Sequence, residues 1–228
     1  MSGAHAERTR RTLYGRRKGP KLSAHQQQLL DHLLPEFELR LSPGTDPRSY
    51  FSQPAREVWL EVGFGGGEHL MWQAQHHPNV GFLGAEPYVN GVVKLLSKLD
   101  GSPIRNMGIY SGDARNIIAA LPDTSVGRVF ILFPDPWPKT RHHKRRFIQM
   151  RTLNELSRVM KPGAELRFAS DDAGYVEWAL ERLMAHPAFT WSATQAADWQ
   201  TRPADWAPTR YEAKQLHGKP VFLTFRRR

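Results

Sequence analysis

Val58-Trp59-Leu60-Glu61-Val62, followed at once by Gly63-Phe64-Gly65-Gly66-Gly67-Glu68, is the stretch that most limits what this chain can become. An apolar, β-rich run that hands several glycines to a helix start opens a sheet wound with helices, because glycine is the residue that lets the backbone turn tightly between the two. Alternation then continues. Val80 to Ala85 reads as a strand, and Val89, Val92, Val93, Leu96 and Leu99 recur at helical spacing before Gly101. Met107 to Tyr110 is a weaker strand, Ile117, Ile118 and Leu121 mark a short helix, and Val126 to Phe133 is a strong strand. Phe147 to Met160 has the period of a helix and stops at Lys161-Pro162-Gly163. Glu165 to Ala169 is a strand again, and Tyr175, Val176, Ala179, Leu180, Leu183 and Met184 make one helix face. Phe189 to Thr194 and Val221 to Phe225 are consecutive strands around a Trp- and Pro-rich loop from Asp198 to Pro208. This order predicts an α/β, Rossmann-like, doubly wound and mostly parallel sheet with an antiparallel C-terminal edge.

At 228 residues the chain fits one domain, expected over 23–228. Ser23 is placed to cap a short helix carrying Leu29, Leu30, Leu33 and Leu34, which Pro35 is expected to end. Residues 1–22 read as a basic N-terminal arm, with seven Lys or Arg and no acid between Arg8 and Lys21. A disordered solubilising tail and a segment that lies along phosphates both fit it. Thirty-two Lys and Arg against 22 Asp and Glu leave +10, an excess that draws a protein towards polyanions. Cysteine is absent, which excludes disulfides, thiolate metal sites and a thiol nucleophile. No apolar run approaches the ~18 residues of a membrane span. The expectation is a soluble cytoplasmic protein with no membrane partner and no metal, either monomer or homodimer.

Gly63 and Gly65 let the backbone approach a ligand at the helix N-terminus, and Glu86, at the end of the second strand, stands where an acid takes ribose hydroxyls. A nicotinamide dinucleotide is the obvious candidate, but the third fingerprint position is Glu68, whose carboxylate repels a pyrophosphate. S-adenosylmethionine carries no phosphate. Its sulfonium and ammonium are attracted by Glu61 and Glu68, and Asp113 after the third strand is placed for the adenine amine. Each acid alone is also what a solvated strand end or a helix cap looks like. Three at successive strand ends point to a site.

The fourth strand ends in Phe133-Pro134-Asp135-Pro136-Trp137-Pro138-Lys139. Prolines on both sides limit the freedom of the Asp135 carboxylate, and Trp137 offers a flat face for a base. A carboxylate pairs with the N1–H and N2 amine of guanine, and N7 already carries a lone pair, so methylation there needs alignment and charge stabilisation rather than a base. Arg141, His142, His143, Lys144, Arg145 and Arg146 follow as a run suited to phosphates, although a solvated face is the commoner fate of such a run.

Together with Gly84-Ala85-Glu86, Ser170-Asp171 and Thr209-Arg210-Tyr211-Glu212 with Lys214 and Gly218, these motifs resemble the bacterial tRNA (guanine-N7-)-methyltransferase family, from about Arg8 to the C-terminus. The resemblance implies the Rossmann-like class I methyltransferase fold and methyl transfer from S-adenosylmethionine to N7 of guanine at position 46 in the tRNA variable loop. It implies that Glu61, Gly63, Gly65, Glu86, Asp113 and Asp135 contact the cofactor, with Asp135 also at the reaction centre. Lys139, Asp171, Thr209, Arg210, Tyr211 and Glu212 are then expected on the substrate and Arg141 to Arg146 on RNA. Where the family often has Thr before the late acid this chain has Ser170, and a second acid, Asp172, follows Asp171. An amino methyltransferase acting on an exocyclic amine and a non-catalytic RNA-binding module are the alternatives.

Overall fold

The apolar runs become strands because each is covered on both faces. In the computed structural model, which describes residues 13–15, 17–40, 42–214 and 218–228, the strands are β1 (Glu57–Val62), β2 (Val80–Ala85), β3 (Met107–Tyr110), β4 (Val126–Leu132), β5 (Met160–Ser170), β6 (Phe189–Trp191) and β7 (Val221–Arg227). They form one sheet in the order β3-β2-β1-β4-β5-β7-β6. The first five are mutually parallel, and β7 runs antiparallel to both β5 and β6. The antiparallel region is where it was expected, but the last strand enters between its two predecessors. Phe222, Leu223 and Phe225 are buried on β7, which suits an inner strand, and the three-residue β6 makes a short edge.

The helices are α1 (Ala24–Gln28), α2 (Leu34–Phe37), α3 (Glu68–His76), α4 (Val89–Leu99), α5 (Ala114–Ala120), α6 (Met150–Val159), α7 (Ala173–Ala185), α8 (Ala197–Gln200) and α9 (Arg210–Lys214). The pleat of β1 sorts its side chains between two layers. Val58, Leu60 and Val62 pack with Ile117, Leu153, Leu156, Ala179 and Leu183 of α5, α6 and α7. Trp59 packs with Leu70, Val92, Leu95 and Leu96 of α3 and α4. Glu61 shares the parity of Trp59 and therefore faces α3. Over β4 and β5 the same face is covered by the Trp- and Pro-rich loop, whose Asp205 bonds Arg167 at 2.7 Å and Arg128 at 3.2 Å.

Ser23 caps α1 through a capping box with Gln26. Pro35 does not end this region: the chain stays helical to Phe37 by way of a π-helical stretch, Leu29–Leu33. The widened turn places Pro35 in the first turn of α2, where its missing N–H has no partner to lose. No helix among the described residues is long and apolar enough to cross a membrane.

Candidate functional site

The parallel strands bring their carboxyl ends together, and with them the acids at or just after those ends. Glu61, Glu86, Asp113 and Asp135 all line one cavity of about 510 Å³, together with Gly63 and Gly65, with Thr209 and Arg210 from the tail, and with Leu13, Tyr14 and Gly15 from the arm. Gly63 and Gly65 have φ of +73° and +56°, the left-handed region that glycine adopts without strain. A Cβ on Gly63 would meet no protein atom within 4 Å. It would stand in open space beside the cavity. Gly91 of α4 packs so closely on the turn that a Cβ there would lie 2.5 Å from the Gly65 carbonyl oxygen.

Glu86, 7 % exposed, accepts from the Gly65 amide at 2.7 Å and the Tyr88 amide at 2.8 Å. Burial pushes its carboxyl up; the two amides pull it down, and the negative charges of Asp135 and Glu61 push up again. Asp113 is the N-cap of α5 and a partner of Arg115, whose guanidinium lies 2.7 Å away. It therefore serves as a helix cap and lines the cavity at once. Glu68 pairs with Lys98 at 3.1 Å.

Asp135 differs from these. Among the described residues it makes no hydrogen bond and no ion pair, and Gly15 of the arm sits against its Oδ2. Its loop is strained: Phe133 and Trp137, each followed by a proline, have φ of +49° and +46°, which costs on the order of 1–3 kcal/mol per residue for a side chain with Cβ. The Phe133 amide donates to Ala169 and the Arg146 Nε to the Pro136 carbonyl, both at 2.8 Å. Neighbouring protein raises the Asp135 carboxyl by desolvation. Because the side chain still meets water at the cavity mouth, solvent limits the extent of that rise.

The basic run divides by side-chain direction. Arg141 and Lys144 are exposed on the 3-10 helix Thr140–Arg145, with His142 and His143 half-buried beside them. His142 meets the Trp137 ring edge-on at 5.9 Å. Desolvation and then the positive charges of Arg145, Arg141, Lys139 and Lys144 hold its pKa below the usual value. The Arg145 guanidinium lies between the rings of Tyr14 and Trp137, at 4.7 and 4.9 Å, so it occupies a face of Trp137 on which a base was expected to stack. Arg146 departs from the expected phosphate contact. It is 3 % exposed, and its guanidinium holds the Pro136 and Gly174 carbonyls at 2.8 and 3.0 Å beneath the acid loop.

A split in salt dependence follows. If Arg141 and Lys144 meet the phosphates of a nucleic acid, as expected from the sequence, neutralising them lowers the slope of log affinity for tRNA against log salt by about one unit each. Arg146→Lys leaves that slope alone but destabilises the fold by roughly 2 kcal/mol, because an ammonium cannot span two carbonyls. Filter binding across a salt series with thermal melts checks this; a slope that changes with Arg146 and not with Arg141 and Lys144 reverses the assignment.

Of the residues expected on the substrate side, Thr209 and Arg210 reach the cavity. Lys139 is exposed and Asp171 half-buried, and neither lines it. Asp172 caps α7, accepting from the Tyr175 amide at 2.7 Å, which commits the second acid to the helix start. Thr209 and Glu212 form a capping box for α9: the Glu212 amide donates to Thr209 Oγ1 at 3.1 Å, and the Glu212 carboxylate takes Arg202 at 2.9 Å. The side chain of Tyr211 and residues 1–12 of the arm lie outside the described residues. His69, buried against Glu61, was not singled out from the sequence; its place in the first turn after the glycines was the available signal.

A family model described as "putative methyltransferase" matches residues 55–223. The chain is 50% identical to a tRNA (guanine-N(7)-)-methyltransferase of Rhodospirillum rubrum, over 94% of this chain and 87% of that protein. It is 44% identical to the protein of the same name from Chelativorans, over 99% of each. Among solved structures, the 16S rRNA methyltransferase KamB superposes with a TM-score of 0.56 at 16% identity, over 83% of this chain and all of that one. A 16S rRNA (adenine(1408)-N(1))-methyltransferase with cosubstrate SAM, from Catenulisporales acidiphilia, gives 0.51 at 16% identity, over 76% and 86%. At these identities the two structures bear on the fold alone.

Proposed function

This chain belongs to the tRNA (guanine-N7-)-methyltransferase family, and from that premise we propose that it methylates tRNA at N7 of guanine, at position 46 of the variable loop, with S-adenosylmethionine as donor. The observation that carries this reading is the Asp135 carboxylate, which has no partner among the described residues and is held on a strained loop in a cavity that other acids share. On a chain of net charge +10, Glu61, Glu86 and Asp135 converge without a balancing ion pair to a lysine or arginine among the described residues. That part of the cavity favours a cationic group of a ligand, while Lys94, Arg115, Arg145 and Arg210 also line the cavity.

The residues present fit the cofactor. Gly63 leaves open the space a Cβ would fill, Glu86 is fixed by two amides to accept ribose hydroxyls, and Glu61 offers a carboxylate to an ammonium. Asp113 accepts from the adenine amine alongside its capping role. When bound there, S-adenosylmethionine supplies an electrophilic methyl group. Asp135 pairs with the N1–H and N2 amine of guanine and so orients the ring. N7 gives its own lone pair to the new bond, and no proton has to leave. The purine becomes cationic, and the Asp135 carboxylate stabilises that charge as it develops. Arg145 leaves its place on Trp137 for the base, which has come out of its stack.

Residues 23–228 act here as one methyltransferase domain with 1–22 as its arm. Thr209 and Arg210 meet the substrate at the cavity, with Lys139, Asp171, Tyr211 and Glu212 on the same side, and Arg141, His142, His143 and Lys144 approach phosphates. Incubating the purified protein with labelled S-adenosylmethionine and unmodified tRNA yields label in 7-methylguanosine after nuclease digestion and mass spectrometry. Label on an exocyclic amine, or none at all, overturns the reading.

A further inference from the structure

One buried residue beside the cavity has a role that the acids alone leave unassigned. His69 on α3 is 1 % exposed, and its Nδ1 lies 2.7 Å from Oε2 of Glu61, itself 3 % exposed. On the other side of the ring, Nε2 faces Nε2 of Gln73 at 3.1 Å. That same Gln73 nitrogen donates to the Asp205 carbonyl at 2.7 Å, so the amide nitrogen and not the oxygen has to stand there. His69 Nε2 therefore accepts. Its single proton sits on Nδ1, where Glu61 receives it; an imidazolium would set N–H against N–H. Phe130 and Trp206 meet the ring edge-on at 4.6 and 5.4 Å and hold its plane. Asp205 is itself anchored to Arg167 and Arg128, so the tautomer is set by a loop fastened to the sheet.

We propose that His69 is a positioning residue: its Nδ1–H takes up Oε2 of Glu61 and so directs Oε1, which has no protein partner among the described residues, to the ammonium of the methyl donor. This rests on the reading that Glu61 binds the donor. A ring serving only as core packing would be replaced better by leucine than by asparagine. A ring serving as an Nδ1 donor would be replaced better by asparagine, whose Nδ2 stands near the Nδ1 position, than by leucine.

Calorimetric titration of the full chain with S-adenosylmethionine separates these. His69→Leu is expected to raise the Kd on the order of tenfold above that of His69→Asn. Equal affinities, or asparagine the weaker, overturn the proposal. Glu61→Gln serves as the control for the underlying reading. If it binds as the unaltered protein does, Glu61 is not a donor-binding acid and that reading fails. If it binds weakly while His69→Leu binds normally, only the role of His69 fails. Because a buried variant can fail to fold, nitrogen NMR of ¹⁵N-histidine in the unaltered protein gives a second readout. The His69 signals are expected in the pattern of the neutral Nδ1–H tautomer and to shift on adding S-adenosylmethionine; an Nε2–H tautomer or an imidazolium overturns the proposal.

Discussion

Asp135→Ala lowers kcat for tRNA methylation by on the order of a thousandfold while the protein stays folded. The carboxylate makes no hydrogen bond or ion pair among the described residues, so none of their contacts depends on it. Its backbone does matter, and alanine leaves that in place: the left-handed Phe133 and Trp137, the prolines between and after them, and the Arg146 clamp on Pro136 are all unaltered. Desolvation by the neighbouring protein raises the Asp135 carboxyl above its usual range even though the residue is exposed at the cavity mouth, so the fold gains nothing from its ionised form. Removing the charge therefore does not lower the melting temperature, and Asp135→Asn is expected to raise it slightly while remaining as inactive as alanine. A group kept against the interest of stability is the mark of a working residue. Labelled-methyl assays beside thermal melts test the pair. An active Asp135→Ala, or an inactive one that has simply unfolded, defeats this account of the loop.

Glu86→Ala raises the Kd for S-adenosylmethionine by on the order of a hundredfold. Two effects add. The carboxylate proposed to accept the ribose hydroxyls is gone, and the amides of Gly65 and Tyr88, which it had satisfied, are left without the partner that holds the turn in place. Glu86→Gln keeps the shape but sets an amide NH₂ against one of those two N–H groups, so it is expected to recover only part of the affinity. The same carboxylate gives binding and stability opposite dependences on pH. Its folded pKa lies above the unfolded value, so between the two the folded protein holds a proton that the unfolded chain has released, and stability falls as pH rises through that window. Affinity for a cation moves the other way, improving as Glu86 ionises. Titration calorimetry and melts over a pH series check both signs; affinity that holds steady as pH falls into the carboxylate range argues against Glu86 as the ligand's partner.

The arm and Arg145 belong with these two acids. Tyr14 and Gly15 line the same cavity, Gly15 against Asp135 and Tyr14 against the guanidinium that lies on Trp137. Farther along, the Gly19 amide donates to Asn90 at 2.7 Å and Asn90 donates back to the Pro20 carbonyl at 3.0 Å, at the start of the helix that packs on the glycine turn. The Trp137 side of the cavity and the helix packed on the glycine turn are thus reached by one short segment.

What the chain determined by itself is whatever local pattern decides. The strand Val80–Ala85 falls where the apolar run placed it, the Ser23 cap is a local hydrogen bond, and the acids follow the strands because the strands were legible. Position at a parallel strand's carboxyl end was enough to bring Glu61, Glu86, Asp113 and Asp135 to one cavity. What only the tertiary structure decided is which way the remaining polar groups turn. Thr209-Arg210-Tyr211-Glu212 carries the pattern of a helix cap as well as that of a substrate contact, and the fold uses Thr209 and Glu212 in a capping box. Six neighbouring cations and histidines look alike in sequence, yet Arg146 is drawn inward because the strained acid loop and the start of α7 leave two carbonyls that need a donor. The left-handed turns at Phe133 and Trp137 have no sequence signal, since residues other than glycine enter that region only when the surroundings enforce it. Periodicity and turn chemistry are written over a few residues and survive without context. The direction of a buried charge depends on partners far away in the chain, and so His69, held between Glu61 and a glutamine tied to Asp205, acquired its meaning only when the sheet brought them together.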